Sequence, residues 1–285
     1  MCKFLSNLFN KPPSVSQPNV EVGDRYKYAL LVGINKYRPD LNCDLRGCCN
    51  DVEHLRTVLI EQFNFDADNI RVVTDERATH NNIIDRLIWL VDHENSELVF
   101  QYSGHGSQVR DRDGDELNDG LDEILCPHDI NWDLPLTDDY LSEIFKEIPQ
   151  NSSLTCIIDA CHSGSMTRDI NNPTKQQPRF LAPPRDIQMR SAGRELQNRK
   201  IGTRAIELNH VLLSGCRDNQ TSADAYINDT WQGAFTHNLI KHIHPAKSWN
   251  DIYSDVLLDV EAGGFTQIPQ FNGKAINERL IFGGI

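Results

Sequence analysis

Leu98-Val99-Phe100-Gln101-Tyr102-Ser103-Gly104-His105-Gly106 and Leu154-Thr155-Cys156-Ile157-Ile158-Asp159-Ala160-Cys161-His162-Ser163-Gly164 are built alike: an apolar run of strand length, then a reactive side chain where a small-residue loop begins. In an open parallel sheet the C-terminal strand ends are where ligands and chemistry gather. Two such ends can bring His105 and Cys161 together although 56 positions separate them. A thiol beside an imidazole makes a nucleophile and its base.

The segments around these two extend the pattern. Tyr28-Ala29-Leu30-Leu31-Val32-Gly33-Ile34 is a continuous apolar run, as buried parallel strands tend to be. Val52, Leu55, Leu59 and Phe63 share one face of a predicted helix from about Cys49 to Phe63. A strand is expected at Ile70-Arg71-Val72-Val73, a helix over 80–94 and a strand over 97–102. Thr137 can cap a helix over 138–148, followed by a strand over 154–159. A strand at His210-Val211-Leu212-Leu213 and helices near 233–243 and 249–262 complete the series. The β-α alternation predicts a mostly parallel sheet with helices on both faces. Residues 1–25 read as a flexible tail and 26–285 as one domain. The segment of about 166–205, with four prolines, reads as a long flexible loop.

The chain has 285 residues, 39% of them hydrophobic and 24% charged, which suits a soluble globular protein. No run approaches the roughly 20 apolar residues of a membrane span, and no secretory signal is apparent at the start. Eight cysteines without a signal, one of them inside the apolar strand at Cys156, fit reduced thiols and a cytoplasmic location. A net charge of −13 argues against nucleic acid as the main partner. That charge is unevenly spread. Residues 110–143 hold twelve acidic and two basic side chains (2 − 12 = −10), and residues 165–206 hold nine basic and three acidic ones (9 − 3 = +6).

Six stretches in order resemble the metacaspases and their bacterial relatives in the caspase clan of cysteine peptidases. They are Ala29–Asn35, Leu45–Asp51, Tyr102–Gly106, Asp159–Gly164, Ser214–Asp224 and Gly233–Thr236. The resemblance covers roughly residues 27–283. It implies a caspase-like three-layer α/β sandwich, a Cys161–His105 dyad, cleavage of peptide bonds and a monomer. It also implies that the backbone N–H groups of Gly106 and Cys161 hold the oxyanion, and that Asp51 and Asp159, with Ser103 nearby, line the S1 pocket. Two buried carboxylates repel unless a cation lies between them, so protein or peptide substrates with Arg or Lys at P1 are expected. Read without the resemblance, Asp51 is also a first-turn helix carboxylate and Asp159 a strand-end turn residue.

The acidic segment resembles the region from which metacaspases bind calcium. Asp122 and Asp138 match ligand positions and Asp139 lies beside them, whereas Thr137 stands where a third carboxylate is expected. Oxygen ligands suit Ca²⁺; the plainer reading is a solvated acidic loop that steers basic substrates. In the basic loop, Arg168, Lys175, Arg179, Arg185, Arg190, Arg194, Arg199, Lys200 and Arg204 are expected to be exposed. They are candidate sites for self-processing or for cleavage by an upstream protease, and the uncut loop is a candidate inhibitor. The rival to an enzyme is a catalytically idle caspase-like module used as a scaffold.

Overall fold

The computed structural model describes residues 25–110, 121–162, 175–187, 210–217, 220–273, 276 and 279–284. Its centre is a six-stranded sheet in the order β12-β9-β7-β3-β1-β2. These strands are β1 (Tyr26–Gly33), β2 (Ile70–Thr74), β3 (Ser96–Ser103), β7 (Ser153–Asp159), β9 (His210–Ser214) and β12 (Gln270–Asn272). All pairs are parallel except β12, which runs antiparallel to β9 at the edge.

The apolar runs of β1 and β3 are continuous because both sheet faces are covered. Leu30, Val32, Leu98 and Phe100 pack on one side with Ile83, Leu87 and Leu90 of α2 (His80–Val91) and with Ile144 and Phe145 of α3 (Asp138–Phe145). Ala29, Leu31 and Val99 point the other way. They meet Val52, Leu55 and Leu59 of α1 (Cys48–Phe63), Leu239 of α4 (Ala234–His242), and Ile252 and Val256 of α5 (Trp249–Ala262). Each fully buried aliphatic side chain of this kind contributes about 1.5–3 kcal/mol.

Helix ends follow local chemistry. Thr137 caps α3 by accepting from Tyr140 N at 3.1 Å. The helix stops at Phe145, short of the expected 148, because Pro149 has no N–H for the Phe145 carbonyl and its ring would clash with it. α2 stops at Val91 rather than 94, before a turn with Asn95 at φ 48°. Ser248 and Asp251 form a capping box on α5.

Two small antiparallel sheets lie outside the central one. One joins β4 (Gly106–Arg110), β5 (Leu121–Leu125) and β6 (Leu136–Thr137); the other joins β8 (Gln176–Pro178), β10 (Ala223–Ile227) and β11 (Thr230–Gly233). No described helix is long and apolar enough to cross a membrane.

Candidate active site

β1, β3, β7 and β9 all point their C-terminal ends the same way, so Gly33, Ser103, Asp159 and Ser214 form one rim. His105 follows β3 and Cys161 follows β7, and both side chains are buried. Tyr37 and Tyr102 fix the His105 backbone. The Tyr37 hydroxyl accepts from His105 N at 2.7 Å, and the Tyr102 hydroxyl lies 2.8 Å from the His105 carbonyl.

The His105 ring sends Nε2 to the Cys43 carbonyl at 2.6 Å. A carbonyl only accepts, so Nε2 carries the hydrogen and Nδ1 keeps its lone pair. Among the described residues Nδ1 makes no hydrogen bond, and the Arg179 backbone lies near the ring. Burial lowers the His105 pKa to about 4, so the imidazole is neutral at pH 7. The Cys161 Sγ receives a hydrogen bond from Ser222 N at 2.6 Å and lies 3.3 Å from the Ser222 carbonyl.

Arg179 sits on this pair, in a place the sequence reading did not give it. It was expected on an exposed loop, yet it is fully buried and its guanidinium lies among three carboxylates. Nη2 is 2.7 Å from Asp51 Oδ2 and 3.0 Å from Asp224 Oδ1. Nη1 is 3.1 Å from Asp159 Oδ2 and 3.1 Å from the Asp159 carbonyl. The burial has a physical cause: a guanidinium that leaves water needs anionic acceptors around its fork, and this pocket supplies them.

The carboxylates are themselves held. Asp51 Oδ1 accepts from Gly233 N, Asp159 accepts from the Ser222 and Thr236 hydroxyls, and Asp224 accepts from Arg46 N and Gly47 N. Gly233 is obligatory, since a Cβ there would run into Asp159 Oδ2 and crowd Arg179 Nη1. Burial raises the Asp51 pKa to about 7, against the pull of Arg179. Burial also opposes charge on Arg179, but Asp159, Asp51 and Asp224 outweigh it and hold that pKa well above the ordinary value.

The Arg179 main chain is bound as closely as its side chain. Its carbonyl oxygen accepts from Gly106 N at 3.0 Å and Cys161 N at 3.2 Å, and its N–H donates to the Ser222 carbonyl at 3.0 Å. Upstream, β8 pairs antiparallel with β10, setting Gln177 opposite Asp224. Downstream, Leu181 N donates to the Gly106 carbonyl at 2.9 Å. A Cβ on Gly106 would collide with the Cys161 carbonyl, so this close approach requires glycine. The segment 175–181 thus crosses the Cys161–His105 pair as an extended strand with one carbonyl between two N–H donors. Two N–H donors on one carbonyl oxygen polarise that peptide carbonyl.

Ser103 stands opposite Asp159 in the sheet, but its hydroxyl bonds Gln101 Nε2 at 3.4 Å rather than the guanidinium. Asp224 was not singled out from the sequence. It lies in the Ser214–Asp224 stretch, and its signal is a charged residue between two small ones, Ala223 and Ala225. Lys175 and Arg185 are exposed. Arg168, Arg190, Arg194, Arg199, Lys200 and Arg204 lie outside the described residues.

Asp122 is buried on β5, and Asp138 and Asp139 open α3; β6 joins the two elements. The Thr137 hydroxyl serves as the helix cap. Among the described residues no group of three or more His, Cys, Asp or Glu side chains is assembled to hold a metal.

A family model described as Metacaspase, peptidase C14 domain, matches residues 27–169. Metacaspase-1 of Saccharomyces cerevisiae is 30% identical, covering 94% of this chain and 74% of its own length. Metacaspase-1 of Meyerozyma guilliermondii is 32% identical over 90% of this chain and 72% of its own. Among solved structures, a Geobacter sulfurreducens protein superposes with a TM-score of 0.63 at 23% identity, covering 91% of this chain and 99% of that one. Caspase-1 from Spodoptera frugiperda gives 0.56 at 13% identity, covering 95% and 98%. At these identities the two structures speak to the fold, a caspase-like α/β arrangement.

Proposed function

Since this chain belongs to the metacaspase family of C14 cysteine peptidases, we propose that it cleaves peptide bonds after arginine or lysine through Cys161 and His105, and that its first substrate is its own Arg179–Phe180 bond. The observation that carries this reading is the fit of Arg179, with its guanidinium among Asp51, Asp159 and Asp224 and its carbonyl between Gly106 N and Cys161 N.

The chemistry follows from the atoms present. The Cys161 thiol gives its proton to His105 Nδ1, and the sulfur attacks the Arg179 carbonyl carbon. Negative charge gathers on the carbonyl oxygen, where the two N–H donors are already aimed; each such donor is worth about 3–4 kcal/mol in the transition state. His105 then protonates the Phe180 amine as it leaves. Water hydrolyses the thioester, releasing Arg179 as a carboxylate and Cys161 as a thiol. In the form described here Sγ contacts the Ser222 backbone, so attack requires it to swing off that carbonyl.

Incubation of the full-length protein, followed by gel analysis and N-terminal sequencing, tests the reading. The expected result is a fragment beginning at Phe180, absent in Cys161→Ala. Paired fluorogenic peptides ending in Arg and Asp test action on other chains. Cleavage of the Asp peptide alone, or silence from a protein already cut at Arg179, would remove the proposal and favour a scaffold.

We extend the proposal to calcium. Asp122, Asp138 and Asp139 offer hard oxygen ligands in a segment of net charge −10. Chelation is expected to slow the cut and added Ca²⁺ to restore it; an unchanged rate in chelator would leave the acidic segment a steering surface.

A further inference from the structure

β9 lies beside β7 in parallel register, with Ser214 opposite Ile158. Two residues further along each strand, Cys216 stands next to Ala160, the neighbour of the nucleophile. Cys216 Sγ is 3.8 Å from the Ala160 carbonyl and 3.4 Å from the Gln220 carbonyl, which places it beside the residue that precedes Cys161. Contact with Cys161, then burial, raises the Cys216 pKa. Cys216 is therefore held as a protonated thiol at neutral pH.

Cys216 also faces a second space. A half-open cavity of about 700 Å³ is lined by Cys216, His162, Glu123, Cys156, His210 and Arg217, among others. None of Asp51, Asp159, Asp224 or Arg179 lines it, so it is separate from the arginine pocket. It gives a small solute a route to Cys216, on the side of Cys161 away from the cleft that Arg179 fills.

From this arrangement we propose that Cys216 is a resolving cysteine, which forms a disulfide with Cys161 after a hydroperoxide has oxidised the nucleophile. In the first step the Cys161 thiolate attacks the peroxide; an S–O bond forms, the O–O bond breaks, and the alkoxide or hydroxide leaves with a proton. In the second step the Cys216 sulfur attacks the resulting Cys161 sulfenic acid and water departs. Two electrons pass from the thiol pair to the peroxide, and a dithiol returns them. The disulfide blocks the nucleophile and protects it from further oxidation, which is irreversible.

The inference rests on Cys161 as the nucleophile, and its test has a readout independent of catalysis. Wild type, Cys216→Ala and Cys156→Ala are treated with hydrogen peroxide, alkylated and mapped by peptide mass spectrometry. Peptidase activity is read before treatment, after it, and again after dithiothreitol. Wild type and Cys156→Ala are expected to yield a Cys161–Cys216 disulfide and to lose activity that dithiothreitol restores. Cys216→Ala is expected to accumulate Cys161 sulfinic acid and not to recover. A wild-type map showing Cys161 sulfinic acid without that disulfide, or Cys161 joined to another cysteine, overturns the inference. So does full recovery of Cys216→Ala. Absence of activity in every untreated sample would count against the peptidase reading, while the peptide map still decides the disulfide.

Discussion

At Arg179 the side chain has left water entirely, and three aspartates and a backbone carbonyl take over the hydration of its two terminal nitrogens. A planar fork can meet acceptors on both terminal nitrogens, which a single ammonium cannot reproduce. Arg179→Lys is therefore expected to retain self-cleavage but slow it about 10–100-fold, the loss of one charge-assisted hydrogen bond of ~1.5–3 kcal/mol, followed by timed gel samples. His105 and Asp51 set the pH response in opposite directions. His105 has a depressed pKa, so the bound complex keeps its base until the pH nears about 4, and kcat should hold well below the ordinary histidine range. Asp51 has a raised pKa; as the pH drops below about 7 it takes up a proton and the pocket loses negative charge. KM for an arginine peptide should therefore rise from pH 8 to 5 while kcat stays level. As a stability term Asp51 has the sign of a raised pKa: its contribution is complete below the ordinary carboxylate range and is lost as the pH rises through about 7. Cys161→Ala, which remains uncut, should show this loss in its urea midpoint, and the double variant with Asp51→Asn should not.

Among the elements, what the sequence reveals depends on where each one finds its partners. β1, β3 and β7 announce themselves because helices cover both faces and each residue must be apolar. β8 could not be read that way. Gln176-Gln177-Pro178 has two amides and a proline, and it is a strand only because β10 lends it an edge. Arg179 is hidden for the same reason: arginine reads as surface, and its burial follows from carboxylates on α1, β7 and β10 that only the fold assembles. The need for a cation between Asp51 and Asp159 was legible; that the chain supplies it was not. Strand addition makes a prediction at this scale. A peptide with the sequence of residues 175–179 should competitively inhibit the cut enzyme. Methylation of its arginine amide, which removes the hydrogen bond to the Ser222 carbonyl, should weaken it about 3–10-fold, as expected for a hydrogen bond of ~1 kcal/mol.

Over the whole molecule, a break after Arg179 would fall between pieces that share a single sheet. β9 belongs to the C-terminal piece yet lies between β12 and β7, the latter from the N-terminal piece. α4 and α5 bury Leu239, Trp249, Ile252 and Val256 in the same core as α1. At the far end Lys27 Nζ donates to the Gly284 carbonyl at 2.6 Å, and Arg25 and Arg279 both pair with the buried Glu97. The two fragments should therefore elute together from a sizing column and separate only in denaturant. The occupant of the arginine pocket arrives on the same polypeptide, so its supply does not vary with how many molecules surround it. Tenfold dilution should leave the half-life of the cut unchanged. A chain cut in this way would carry its own clock, stopped by a single tick, and would measure elapsed time rather than crowding.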